Sequence, residues 1–103
     1  MERYLGVDLH RTQFTVCTRL ESGRTYLRQW LMRELKLFAA QLRQEDEVAV
    51  ESTGNTRFFY DTVVEHVSHV AVVNPGQFKV ISQSVKKTDK NDAELLAFYL
   101  GRL

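Results

Sequence analysis

The sequence predicts a mixed α/β fold, one sheet flanked by helices, and three observations carry that expectation. Three strand-like runs follow one another directly near the start, two later apolar runs are each preceded by helical periodicity, and two of the apolar runs end on an acid. Strands joined by tight turns pair antiparallel, whereas strands separated by helices return parallel through right-handed crossovers. Residues 1–103 therefore read as a single domain, large enough for its own core and too short for a second one.

The elements follow in order. Residues 4–8, "YLGVD", form a short apolar strand ending on Asp8. In "QFTVCTRL", Phe14, Val16, Thr18 and Leu20 alternate onto one face, and Ser22 and Gly23 supply a turn into "RTYLRQWL", which completes an antiparallel meander. Leu35, Phe38, Ala39 and Leu42 keep the i, i+3, i+4, i+7 spacing of an amphipathic helix. A charged turn from Gln44 to Glu47 leads into "VAVE", a buried-type strand ending on Glu51. After Ser52, Thr53 and Gly54, a second helix places Phe59, Val63 and Val67 on one face, and "HVAVV" is the next strand. Asn74 and Pro75 end it as an N-cap and first helical position, opening a short helix around Gly76 to Ser82. The last helix runs from about Asp89 to Leu100. Three strands, helix, strand, helix, strand, helices is the order of ribonuclease H-like (RuvC-like) domains, whose sheet is arranged 3-2-1-4-5. Strands one and four are then neighbours, and their carboxyl ends meet where the connections diverge, the usual place for a ligand crevice.

Bulk properties narrow the function classes. The chain is 44% hydrophobic and 26% charged, a folded composition without low-complexity segments or repeats. A formal charge of +1 gives no large positive field, so a nucleic-acid partner must be held locally. The lone Cys17 excludes an intramolecular disulfide and multi-cysteine zinc sites, and reads as a small strand hydrophobe. No apolar stretch has the length of a signal peptide or a membrane span, which predicts a cytoplasmic protein with no membrane partner. The sequence stops almost as soon as "LLAFYLGRL" completes a helix, which predicts an N-terminal fragment of something longer.

In the 3-2-1-4-5 arrangement Asp8 and Glu51, 43 positions apart in sequence, come to lie side by side. Two such carboxylates repel, and one is driven toward protonation unless a cation sits between them. Asp89 and Asp92, three apart on the first turn of the last helix, share a face and close the site from above. Four carboxylates suit Mg²⁺ or Mn²⁺, hard ions that prefer carboxylate and water. Two such ions roughly 3.5–4 Å apart could hold the attacking and leaving oxygens of a phosphodiester exchange. The plainer reading of Asp89 and Asp92 is a capping box at a helix N-terminus, which favours negative charge in any case. The two roles are compatible.

Lys79, Lys86, Lys87 and Lys90 cluster beside the acid pair as phosphate contacts or as a solvated loop. His10 follows Asp8 by two residues and either reaches a scissile phosphate or fills a turn. His66 and His69 read as structural, and Tyr26 and Trp30 as core or rim. "ESTG" lacks the frame of a nucleophile elbow, and no phosphate-cradling glycine loop occurs.

Four blocks in this order, "GVDLHRTQF", "VAVESTGN", "VAVVNP" and "KKTDKNDAELLAFYL", resemble the N-terminal DEDD domain of IS-one-ten-type insertion-sequence transposases, a group that includes the pilin-gene invertases. The resemblance spans nearly the whole chain. It implies that the first-strand acid, the Glu of E-x-T-G and the two acids of D-x-x-D map onto Asp8, Glu51, Asp89 and Asp92, placed as in RuvC-type Holliday-junction resolvases and binding divalent metal. It further implies a helical linker and a C-terminal domain that contributes a serine attacking DNA. Homo-oligomers that combine active sites between subunits, and a noncoding guide RNA that selects the DNA, are implied as well.

The first reading is thus the metal-binding catalytic half-domain of a DNA transposase or recombinase, an enzyme when complete and inactive as this fragment. The alternatives are a stand-alone resolvase-like nuclease and a non-catalytic dimerisation or RNA-docking module. A sugar-kinase or actin-like ATPase half ranks last, because it would need glycines where this chain has "HRT".

Overall fold

A computed structural model of the chain describes residues 2–74, 76, 79 and 92–101. The elements are β1 (Arg3–Leu9), β2 (Gln13–Leu20), β3 (Thr25–Leu31), α1 (Leu35–Ala40), β4 (Glu47–Glu51), α2 (Thr56–Val63), β5 (His69–Val73) and α3 (Asp92–Leu100). One five-stranded sheet has the order β3-β2-β1-β4-β5, the ribonuclease H-like arrangement expected from the element order. β1 pairs antiparallel with β2 and β2 with β3, while β4 lies parallel to both β1 and β5. Among the described residues no helix is long and apolar enough to cross a membrane.

The meander forms because its turns are suited to it. Gly23 takes φ 92°, a left-handed conformation that glycine adopts without a Cβ penalty, and its N–H donates to the Leu20 carbonyl at 2.9 Å. The first helix is shorter than its periodicity predicts. A 3-10 turn over Met32–Glu34 precedes α1, and the chain leaves helical geometry after Ala40, so Leu42 packs on the core from the turn beyond. Glu34 accepts a 2.8 Å hydrogen bond from the Leu31 N–H and closes that 3-10 turn. Gly76 and Lys79 have helical backbone, as expected for the short helix after β5; the remainder of that helix lies outside the described residues.

Alternation along the strands divides the sheet into two unlike faces. Leu5, Val7 and Leu9 of β1, Phe14 and Val16 of β2, and Val48 and Val50 of β4 face α1 and α2, where they join Leu35, Phe38, Phe59 and Val63 in the main core. Aromatic rings knit it together: Phe14 meets Phe38 edge-on at 5.3 Å between centroids and Phe59 at 6.0 Å, and Trp30 meets Phe38 at 5.5 Å. Each such contact contributes about 0.5–1.5 kcal/mol beyond area burial. Trp30 is core, whereas Tyr26 stands half exposed on the edge strand β3.

The other face carries small side chains and receives α3. Cys17 packs with Ala93 and Ala97, and Ala49 and Val73 pack with Leu96 and Leu100. Gly6 lies between these two clusters. A Cβ built on it would collide with the Ala93 carbonyl oxygen and the Ala97 nitrogen and stand 2.9 Å from Leu96 Cβ, so α3 rests its backbone directly on β1. Farther down the helix, the Arg19 guanidinium lies 5.2 Å from the centre of the Phe98 ring.

One acid of the charged turn before β4 is buried. Asp46 is fully enclosed and accepts from Arg3 at 2.9 and 2.6 Å and from the Arg43 N–H at 2.8 Å. Its own carbonyl accepts from the Ser68 N–H and hydroxyl, joining the entry of β4 to the entry of β5. Removing one member of a buried ion pair leaves the other charge uncompensated, at a cost of roughly 3–5 kcal/mol. Asp46→Ala is expected near the lower end, about 3 kcal/mol, because Arg3 keeps some solvent contact; chemical denaturation measures it.

Candidate metal centre

The acids at the strand ends arise from the same alternation that builds the core. In β1, Gly6 faces α3 and Asp8, two residues on, points to that side past the helix's first turn. Asp8 lies opposite Thr15 of β2 in the antiparallel ladder. In β4, Ala49 contacts α3 and Glu51 follows it on the same face, as the last residue of the strand. The parallel ladder between β1 and β4 ends at Val7 and Val50, so Asp8 and Glu51 occupy the next positions of the two central strands. Asp92 is the first residue of α3, immediately before the Ala93 that rests on Gly6. A glycine in a central strand and an alanine-lined helix thus bring a third acid over the other two.

The electrostatics register this convergence. Burial raises the Glu51 carboxyl above its ordinary value, and the nearby charges of Asp92 and then Asp8 add to the rise. Asp92 is likewise raised, first by burial and then by Asp8, with His10 acting in the opposite sense. The His10 Nε2 lies 3.1 Å from the Asp8 Oδ2, so a ring N–H orients that carboxylate and, when protonated, offsets part of the negative charge.

A raised carboxyl binds its proton more readily folded than unfolded, so stability falls as pH climbs from the ordinary value of 4.5 through the raised one. Above that window the charge on Glu51 disfavours the fold by a constant amount. Glu51→Gln is therefore expected to melt slightly above the parent at pH 7, the difference closing as the medium is acidified below the ordinary range. Solvent screening of this partly exposed group holds the gain to less than about 1 kcal/mol, and thermal melts across pH check it.

The loops that carry the acids are tied down. The Asn55 side chain donates to the carbonyls of His10 at 3.2 Å and Arg11 at 3.4 Å, joining the β1–β2 turn to the loop after β4. Thr56, buried at the start of α2, donates its hydroxyl to the Glu51 carbonyl at 3.1 Å and accepts from the Thr53 N–H. The Ser52 N–H donates to the Val73 carbonyl at 2.7 Å, fixing the same loop to β5. Sequence reasoning singled out neither Asn55 nor Thr56. The signal was a polar pair directly after E-x-T-G, at the mouth of a helix whose later positions are apolar on one face.

Asp8, Glu51, Asp92 and His10 are therefore brought together. Asp89, Lys86, Lys87 and Lys90 lie outside the described residues, and Lys79 is exposed on helical backbone. Among the described residues no group of three or more His, Cys, Asp or Glu side chains stands close enough to hold one ion. The three acids sense one another's charge without meeting at a single point. The chemistry of the set, three carboxylates that are all hard oxygen donors, fits a divalent cation.

A ribonuclease H-like sheet with carboxylates at the ends of strands one and four and at the start of the last helix belongs to the nuclease-like class of domains. Within that class the family is settled by the whole chain: the profile of the IS110-type (IS-one-ten) DEDD domain, described as "Transposase", matches residues 5–102, and the chain belongs to this transposase family. No curated protein matches it.

Proposed function

We propose that this chain is the metal-binding catalytic half-domain of a DNA transposase that cuts and rejoins phosphodiesters in the cytoplasm. The observation that carries the reading is the convergence of Asp8, Glu51 and Asp92 on one face, where burial and mutual repulsion raise two of the three carboxyls. Asp8, Glu51 and Asp92, with Asp89 from the segment before α3, would hold Mg²⁺ or Mn²⁺. Bound there, the ion supplies a Lewis acid for phosphoryl oxygens and lowers the pKa of an attacking oxygen.

The chain's own residues supply the rest. His10 orients the Asp8 carboxylate through Nε2, and Asn55 keeps the turn that carries His10 in register with the Glu51 loop. Lys86, Lys87 and Lys90 stand in sequence beside the acids as candidate phosphate contacts. By likeness to the family, a C-terminal domain brings a serine that attacks DNA, subunits combine into a homo-oligomer, and a noncoding guide RNA selects the target.

Titration with Mn²⁺ under NMR tests the reading. Selective broadening of Asp8, Glu51 and Asp92 resonances is expected, with the effect lost in Asp8→Asn. Uniform or absent broadening would turn the assignment toward a dimerisation or RNA-docking module. Cutting of junction DNA by the 103-residue chain alone, abolished in Glu51→Gln, would favour a stand-alone nuclease instead.

A further inference from the structure

We infer that the outer edge of β3 pairs antiparallel with the same edge of a second copy of this chain, about a two-fold axis through Leu27, so that two five-stranded sheets become one of ten strands. A homo-oligomer already follows by likeness to the family, whereas its joining surface comes from the strand alone and does not depend on the metal site.

β3 is an edge without the usual guards. Among the described residues it pairs only with β2, and every residue of Thr25–Leu31 except Trp30 is exposed. Tyr26 and Leu27 stand 51% and 52% exposed, and α3 packs on Cys17 of β2 without covering them. Natural edge strands are blunted by proline, bulges, brevity or a projecting charge. Here seven residues run in unbroken register from Gln13↔Leu31 to Arg19↔Thr25, with no proline, and the one charge, Arg28, lies over its own Trp30 ring at 3.8 Å.

The hydrogen bonds flanking the ladder give the direction of each backbone group. The Leu20 N–H donates to the Arg24 carbonyl and the Met32 N–H to the Thr12 carbonyl, each at 2.9 Å, so the even-numbered residues between them turn their N–H and C=O toward β2. Thr25, Leu27, Gln29 and Leu31 therefore point theirs outward. Glu34 already takes the Leu31 N–H at 2.8 Å, which leaves the first three open. A two-fold through Gln29 would need the Leu31 group, and one through Thr25 would leave half the strand unpaired. One through Arg28 would oppose two like charges, and one through Tyr26 would oppose Arg24 to the partner's Arg28. The axis through Leu27 has none of these faults. It exchanges backbone bonds between Leu27 and its mate and between Thr25 and the partner's Gln29. On one face it joins the two half-exposed leucines, and on the other it sets each Tyr26 ring beside the partner's Arg28.

Such an axis stands perpendicular to the sheet and keeps like faces on one side. Both sets of acids then open to the same surface, with the two β1 strands roughly 25 Å apart across five strand spacings.

Sedimentation velocity of the 103-residue chain from about 5 to 500 µM tests the pairing. A reversible monomer–dimer equilibrium is expected, with a Kd on the order of 10–100 µM, the weak range of a small interface. Leu27→Lys opposes two ammonium groups on the axis, and Gln29→Pro removes only an outward N–H; each is expected to raise that Kd roughly tenfold or more. Leu37→Lys, 62% exposed on α1 and away from the edge, should stay within about twofold. If Gln29→Pro melts early, Leu27→Lys at its half-exposed site still carries the test. A short bismaleimide is expected to join copies of Leu27→Cys but not of Leu31→Cys, whose thiols would stand roughly 27 Å apart. The native Cys17 is buried and does not compete.

A chain that stays monomeric to about 1 mM would overturn the pairing and leave the edge to a strand of another protein. A dimer indifferent to both edge variants would overturn the surface, and crosslinking at position 31 in preference to 27 would overturn the register. The metal site reads out separately. Mn²⁺ broadening at Asp8 and Glu51 without dimerisation keeps the acids and removes the pairing, and dimerisation without broadening does the reverse.

Discussion

Gly6→Ala is expected to destabilise the domain by about 3 kcal/mol, lowering the melting temperature by roughly 12–24 °C for a chain of this size. Overpacking usually costs about 1–3 kcal/mol because neighbouring side chains rotate aside. Here the obstacles are the Ala93 carbonyl oxygen and the Ala97 nitrogen, both helix backbone, so relief requires α3 to lift or slide along β1. A sliding helix would carry Asp92 away from Asp8 and Glu51. The variant should therefore also lose any Mn²⁺ response before it loses its secondary structure. A shift in melting temperature below about 4 °C would show that the helix yields cheaply and that the close approach is not a constraint.

Asp8→Asn is expected to reduce recombination by the complete transposase about a thousandfold or more while leaving the fold in place, a loss of at least about 4 kcal/mol in transition-state stabilisation. The structural cost is small because, among the described residues, the only hydrogen bond made by the Asp8 side chain is to His10, itself exposed. Asp8→Asn keeps the side chain's size at a partly buried position and removes one of three neighbouring negative charges, so its stability is expected to stay within about 1 kcal/mol of the parent. Recombination assays beside thermal melts of the same variant separate the outcomes. Retained activity would remove Asp8 from the catalytic set, and a collapsed melting transition would make the acid a structural one.

The sheet was legible in the sequence because its signals are local. Turn residues at Ser22 and Gly23 and the alternation of Phe14, Val16, Thr18 and Leu20 specify a meander, and helices between later strands force parallel pairing. Once the order was known, acids ending the first and fourth strands had to be neighbours. The close approach at Gly6 was not legible, since the helix that rests on it lies 87 positions away and a strand glycine has several possible causes. Nor could the charged turn from Gln44 to Glu47 reveal which of its acids is buried. That choice depends on Arg3, which reaches Asp46 only after β1 and β4 have paired. The bridge from Asn55 to the His10 carbonyl is hidden for the same reason: both partners are polar loop residues whose proximity exists only in the folded sheet.

The unlike faces of the sheet imply an uneven tolerance to sequence change. On the side of α1 and α2, large interdigitated rings can exchange volume among themselves, so a library that swaps Phe14, Phe38 and Phe59 with other bulky residues should retain many folded members. On the side of α3, Gly6 has no room for even one added carbon beneath the helix backbone, with Ala49, Ala93 and Ala97 buried around it, so enlarging it is expected to change the separation of the acids directly. Drift in one half of the core would leave the chemistry untouched, whereas the other half is a ruler whose graduations are single methyl groups.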